Sequence, residues 1–151
     1  MIGFVMIGTN NLEESSKFYD AILSSLGIIK VMSAERNIGY AKKNSPEKIK
    51  LYVTKPHNKE PATNGNGTMI ALKADSRANI DKFHAIALEN GGVNEGLPGP
   101  RHDNNYYAYI RDVDGNKICA YTTSKIWTKD LKSLPILGVL VQVQSGILLW
   151  I

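Results

Sequence analysis

The chain repeats itself. Sliding it by 65 residues places Phe4 on Met69, Phe18 on Phe83, Tyr19 on His84, Leu23 on Leu88 and Gly27 on Gly92. The same order of strand, helix cap, helix and closing glycine recurs around those matches, which chance does not readily supply. A duplication constrains the fold strongly, because whatever one copy forms the other must form as well. The 151 residues therefore hold two related halves within one domain of ordinary size. A chain this long buries roughly 68–70% of its unfolded surface, so a core forms without disulfides or metal.

Periodicity names the elements of each copy. Residues Ile2–Thr9 are apolar on both alternating sets, which predicts a strand covered on both faces. Asn11 is placed as a helix N-cap with Glu14 three residues on, and Glu13 and Glu14 suit the positive end of the helix. Leu12, Tyr19, Ile22, Leu23 and Leu26 follow a helical period and Gly27 is placed to end it. Strand-like runs follow at Ile28–Met32, Ile38–Lys42 and Ile49–Thr54. A loop rich in Asn, Gly and Pro, Lys55–Gly67, leads to the second copy: a strand over Thr68–Ala74, then Ser76 capping a helix with Ile80, Phe83, Ala87 and Leu88 on one face. Gly91 or Gly92 closes that helix. Two further strands, Tyr106–Arg111 and Asn116–Thr122, flank the turn signal Asp112-Val113-Asp114-Gly115-Asn116.

The fold class predicted is α+β, with two βαβββ modules, about residues 1–55 and 67–122. An apolar C-terminal extension, 123–151, is expected to pack on the domain or on a partner subunit. Its residues 134–151 carry no charge but include Pro135, Gln142, Gln144 and Ser145, which reads as strands or an arm and not as a transmembrane helix. Lys125, Lys129 and Lys132 against Asp130 supply half of the net charge of +4. The remaining body has no basic stripe, so nucleic acid is excluded as the expected partner. The opening MIGFVMIGTNN has no positive n-region, which predicts no signal peptide and a cytoplasmic protein. The single cysteine, Cys119, excludes a disulfide framework and any multi-cysteine metal site.

The segments NNLEESSKFYDAIL, PATNGNGTMIAL and especially NNYYAYIRDVDGNKICAY resemble the glyoxalase / bleomycin-resistance / dioxygenase superfamily, the vicinal oxygen chelate proteins, over about residues 1–122. The resemblance implies paired βαβββ modules forming an open curled sheet around a cup-shaped cleft, usually in a dimer, with a divalent metal in many members. In metal-binding relatives a His on the first strand, a His on the strand after the GNGT turn and an acidic residue after GNKI are ligands. Those positions carry over to Phe4, Met69 and Cys119, with Lys50 or a close neighbour as the first-module counterpart of Cys119. A phenyl ring offers no lone pair, a thioether suits hard or borderline divalent ions poorly, and one thiolate does not make a site. No metal and no other cofactor is therefore expected.

If Asp112 pairs with Asn116 across the turn, Tyr109 faces Cys119 and Tyr107 faces Tyr121, all on one face of the sheet. Phe4, Met6 and Met69 join them by the same parity. This inventory predicts an aromatic, thioether-lined cleft for a flat, mostly apolar or aromatic ligand. The competing reading is that Phe4, Met69 and Cys119 plug the cavity. His102, in the segment GLPGPRHDNN that borders the cleft in the family, is a candidate ligand-contacting residue or general base. His57 reads as exposed, His84 as packed against the core, and the Asp112–Asn116 segment as turn chemistry. The leading function is metal-independent binding of a small apolar or aromatic molecule by a homodimer. An enzyme of the same superfamily, with an unusual metal site or a metal-free mechanism using His102, Cys119 or a tyrosine, is the alternative. A structural or interaction protein with a filled cleft is the third.

Overall fold

A computed structural model describes residues 2–123; the expectations for the apolar tail fall outside them. The first module runs β1 (Val5–Gly8), α1 (Leu12–Ser24), β2 (Ile28–Ser33), β3 (Asn37–Lys42) and β4 (Leu51–Thr54). The second runs β5 (Ile70–Lys73), α2 (Arg77–Glu89), β6 (Val93–Pro100), β7 (Tyr106–Arg111) and β8 (Lys117–Thr122). Each builds a four-stranded sheet of the same topology, β1-β4-β3-β2 and β5-β8-β7-β6. In both, the first and last strands of the module run parallel and the other neighbours antiparallel. The repeat carries through to register, with Val5 beside Leu51 matching Ile70 beside Ile118, the offset being 65 residues at the first strand of each module and 67 at the last.

Local chemistry explains the helices. Asn11 Oδ1 accepts from the Glu14 backbone N–H at 3.2 Å while Asn11 Nδ2 donates to the Glu14 carboxylate at 3.2 Å. These contacts satisfy one of the free N–H groups of the first turn and hold Glu14 at the positive end of the helix. Ser76 Oγ does the first of these for α2, accepting from Asn79 N–H at 3.2 Å. Both glycines after α2 are used. Gly91 takes φ +92°, and a Cβ on Gly92 would stand 2.8 Å from the Ala87 carbonyl oxygen.

The buried face predicted for α2 is corrected. Leu88 is 42% exposed, and the buried face of α2 is Ile80, Phe83, His84 and Ala87. At about 100° per residue Leu88 lies roughly 80° round the helix from Ile80, at the margin of the stripe. The remaining strand of the second βαβββ module, which periodicity did not place, is Val93–Pro100, β6, along the edge of the second sheet. Its pairing with β7 is interrupted between Asn94 and Gly96 and again between Gly96 and Gly99. An edge strand with bulges tolerates prolines that a central strand would not.

One core serves both modules. Ile7, Phe18, Ile22, Leu51 and Val53 join Ile80, Phe83, Ala87, Ile110 and Ile118 in a single buried cluster. Helix α1 packs on α2, and the β7–β8 turn reaches across to the first module. Tyr19 donates to Asp112 Oδ2 at 2.6 Å, Ser15 and the Asn10 backbone N–H donate to the Asp114 carboxylate, and Asn116 Nδ2 donates to the Gly8 carbonyl at 3.0 Å. The turn reading of Asp112–Asn116 is correct, with Asp112 Oδ1 accepting from the backbone N–H groups of Asp114 and Asn116 and Gly115 at φ +86°. The same carboxylate also joins the modules. Among the described residues no strand of one sheet is hydrogen-bonded to the other sheet.

Candidate ligand-binding site

The alternation of each sheet separates a core face from an outer face. Ala108, Ile110, Ile118 and Ala120 are fully buried in the core of the second module. Their alternates Tyr107, Tyr109, Cys119 and Tyr121 share the opposite face, with Tyr109 across from Cys119 and Tyr107 across from Tyr121, the register expected from the turn. The three tyrosine rings stand nearly parallel. Tyr107 and Tyr109 have centroids 6.1 Å apart and planes 4° apart, and Tyr107 and Tyr121 have values of 5.9 Å and 17°. All three are half-buried.

The first sheet presents a second wall. Ile7, Leu51 and Val53 are buried in the core, so their neighbours Met6 and Tyr52, which lie side by side in register, are on the outer face. Phe4, immediately before β1, sets its ring edge-on to Tyr52 at 5.3 Å and 77°. The equivalent registers of the two sheets make Tyr52, not Lys50, the counterpart of Cys119; Lys50 corresponds to Lys117 and donates to the Gly3 carbonyl at 2.9 Å. The four positions that the family resemblance marks for metal ligands therefore carry Phe4, Tyr52, Met69 and Cys119. This donor set does not fit a divalent ion. Among the described residues no group of three or more His, Cys, Asp or Glu side chains is arranged to hold one.

Phe4, Met6 and Met69 are 56%, 50% and 44% exposed, so they do not plug a cavity within one chain; of the three residues named for that role only Cys119 is buried. Among the described residues no ring contact or hydrogen bond links the Phe4–Tyr52 wall to the tyrosine row. Met6 and Lys117 do line one shared cavity of about 150 Å³ at the seam between the modules, with Thr63, Thr68 and Asn116. Ligand pockets for drug-sized molecules run to about 300–1,000 Å³, so the seam is too small for such a ligand.

Cations that sequence reasoning did not single out surround the tyrosines. The Arg101 guanidinium lies 5.3 Å and the Lys117 ammonium 5.4 Å from the Tyr109 ring centroid. Lys117 was readable from the same turn register that placed Cys119. Arg101 was not, because it follows the irregular β6. His102 is exposed in the turn after β6. In that turn Asp103 accepts from the Tyr107 hydroxyl at 2.5 Å. This hydrogen bond lowers the carboxyl's proton affinity and raises that of the phenol. His57 is exposed, and His84 is buried with Nε2 bonded to Asn94 Oδ1 at 2.9 Å.

Cys119 is no nucleophile in this setting. Burial pushes its thiol up to about 11, against the smaller opposing influence of Lys117 and Arg101, and Sγ is directed at the Ala120 carbonyl oxygen at 3.5 Å. At pH 8 only about one thiol in a thousand would be ionised. Labelling with a thiol-specific disulfide reagent at pH 8 is expected to run at least about a hundredfold slower than with a free thiol and to become stoichiometric in denaturant. Rapid stoichiometric labelling of the folded protein would contradict this assignment.

Two four-stranded mixed sheets of βαβββ topology with an open outer face define the vicinal oxygen chelate fold class. The profile of the Glyoxalase/Bleomycin resistance protein/Dioxygenase superfamily matches residues 1–120, and the chain belongs to that superfamily. It is similar to a glyoxalase/bleomycin resistance protein from Albidiferax ferrireducens, 42% identical, with TM-score 0.74 over 81% of this chain and 98% of that one. A family enzyme from Burkholderia phytofirmans (17% identical, TM-score 0.65, 82% and 98% covered) and a fosfomycin resistance protein from Mesorhizobium loti (16%, 0.60, 84% and 95%) share the fold. No curated protein matches the chain.

Proposed function

We propose that this chain is a binding member of its superfamily, holding a small, flat, mostly apolar or aromatic molecule against Tyr107, Tyr109 and Tyr121 without a chelated metal. The observation that carries the reading is the row of parallel, half-buried tyrosine rings beside a ligand-position set of Phe4, Tyr52, Met69 and Cys119 that lacks suitable donors. Parallel aromatic plates favour stacking of a planar partner, and their hydroxyls supply the few polar contacts such a site needs. Met6 and Met69 add polarizable surface that adapts to ligand shape, and His102 borders the row from the β6–β7 turn.

The protein works as a homodimer in the cytoplasm in this reading. Phe4, Met6 and Met69 are exposed apolar side chains on strands or beside them, the kind of surface that a subunit interface covers. A second copy bringing its Phe4–Tyr52 wall over the tyrosine row would turn an open face into a pocket. Among the described residues no helix is long and apolar enough to cross a membrane.

Native mass spectrometry of the purified protein with zinc, nickel, iron(II) and manganese tests both points. The expected result is a dimer mass with no stoichiometric metal uptake. One metal per chain at micromolar concentration would overturn the metal-independent reading, and a monomer mass across the micromolar range would overturn the shared pocket.

A further inference from the structure

The surroundings of the tyrosine row are charged in a way that a neutral aromatic ligand does not require. Arg101 lies over Tyr109, yet its guanidinium donates only to the carbonyls of Pro100 and Leu97, at 2.9 and 3.0 Å. Among the described residues it has no carboxylate partner. Lys73 is exposed on β5 directly across from Tyr121 and is likewise without an ion pair. Lys117 lies against Tyr109 as well, sharing Glu95 with Arg111 at 3.5 and 2.6 Å. Asp103, the other carboxylate of the row, is taken by the Tyr107 hydroxyl. Arg101, Lys117 and Lys73 thus border the rings, and the two carboxylates nearby, Glu95 and Asp103, are both engaged.

Covering Arg101 and Lys117 with a neutral ring would strip water from both charges, and of the two only Lys117 has a carboxylate, Glu95, to offset that cost. An oxyanion on the ligand would offset that cost. The guanidinium fork matches a carboxylate in a bidentate geometry, while the rest of the ligand stacks on the phenol rings. On the reading that the tyrosine row is the binding site, we infer that its ligand class is the aromatic carboxylate: a planar ring held by Tyr107, Tyr109 and Tyr121, its carboxylate by Arg101 with Lys117.

Paired probes of one shape test this. 2-Naphthoate and 2-naphthamide differ in charge and little in size, and both are followed by their own fluorescence on titration with the full-length protein. The naphthoate is expected to bind about tenfold or more tightly at 50 mM salt, with the advantage shrinking at 0.5 M salt as screening sets in. Arg101→Gln should narrow the ratio between the probes and Arg101→Lys should restore it in part, whereas Tyr109→Ala should weaken both. Arg101 is in an irregular surface segment, so circular dichroism of these variants should match the parent. Equal binding of the two probes would overturn the inference and leave the aromatic site standing. An unchanged ratio in Arg101→Gln would also overturn it. Binding of neither probe would overturn both the inference and the site.

Discussion

Replacing Asp112 with alanine is expected to cost about 3–5 kcal/mol of folding stability, seen as a lowered urea midpoint with an unchanged slope. Asp112 is 3% exposed and its two oxygens accept four hydrogen bonds, from Tyr19 Oη at 2.6 Å, Asp114 N at 3.0 Å, Asn116 N at 2.7 Å and Asn116 Nδ2 at 2.9 Å. Truncation leaves the fully buried Tyr19 hydroxyl and the turn amides without that acceptor. Each unpaired buried group costs about 1–3 kcal/mol, against a total of about 5–15 kcal/mol for a domain. The milder Tyr19→Phe change should cost about 1.5–3 kcal/mol, because the carboxylate keeps three donors while losing one charge-assisted bond. A double-mutant cycle between the two should show coupling of the same order. A loss below about 1 kcal/mol for Asp112→Ala would show that the turn, and not the carboxylate, joins the modules. The consequence reaches the site, since this turn sets the register that places Tyr109 opposite Cys119.

The second large effect tests the duplication energetically. Phe18 and Phe83, 1% and 0% exposed, occupy matching positions on α1 and α2 within one core cluster. Phe18→Ala and Phe83→Ala should each cost about 3–5 kcal/mol, the transfer free energy of a ring plus the cavity it leaves. Phe18 is also edge-on to Tyr19 at 5.4 Å, a contact that adds about 0.5–1.5 kcal/mol. Urea or thermal unfolding of both variants should show one cooperative transition, shifted by similar amounts. Two separate transitions would mean that the modules are independently stable units and that the shared core is not the main source of stability.

Asn11, Ser76 and the Asp112–Asn116 turn were legible from the chain because their hydrogen bonds close within a few residues, where spacing alone determines who can meet whom. The face assignment of Tyr107, Tyr109, Cys119 and Tyr121 followed from that turn, since one correct pair sets the parity of a whole hairpin. β6 was harder. Glycine and proline mark it as a loop, and only its pairing along the Tyr106–Arg111 edge turns it into a strand. Leu23 and Leu88 show the limit of the repeat. They are equivalent in sequence, but one is buried and the other exposed, because burial depends on what each helix margin meets in space.

The same division runs through the site. Residue type and short-range periodicity carried the two modules, the caps and the tyrosine face, while the positions Phe4, Met69 and Cys119, which lack suitable metal donors, were located through the family resemblance. Tertiary structure alone decided that Tyr52 is the partner of Phe4, that Cys119 is buried while Phe4 and Met69 are not, that Arg101 lies over Tyr109, and that Asp112 accepts from Tyr19 93 residues away. Those are distances between segments far apart in the chain, set by how two sheets pack around one core, and no local pattern encodes them.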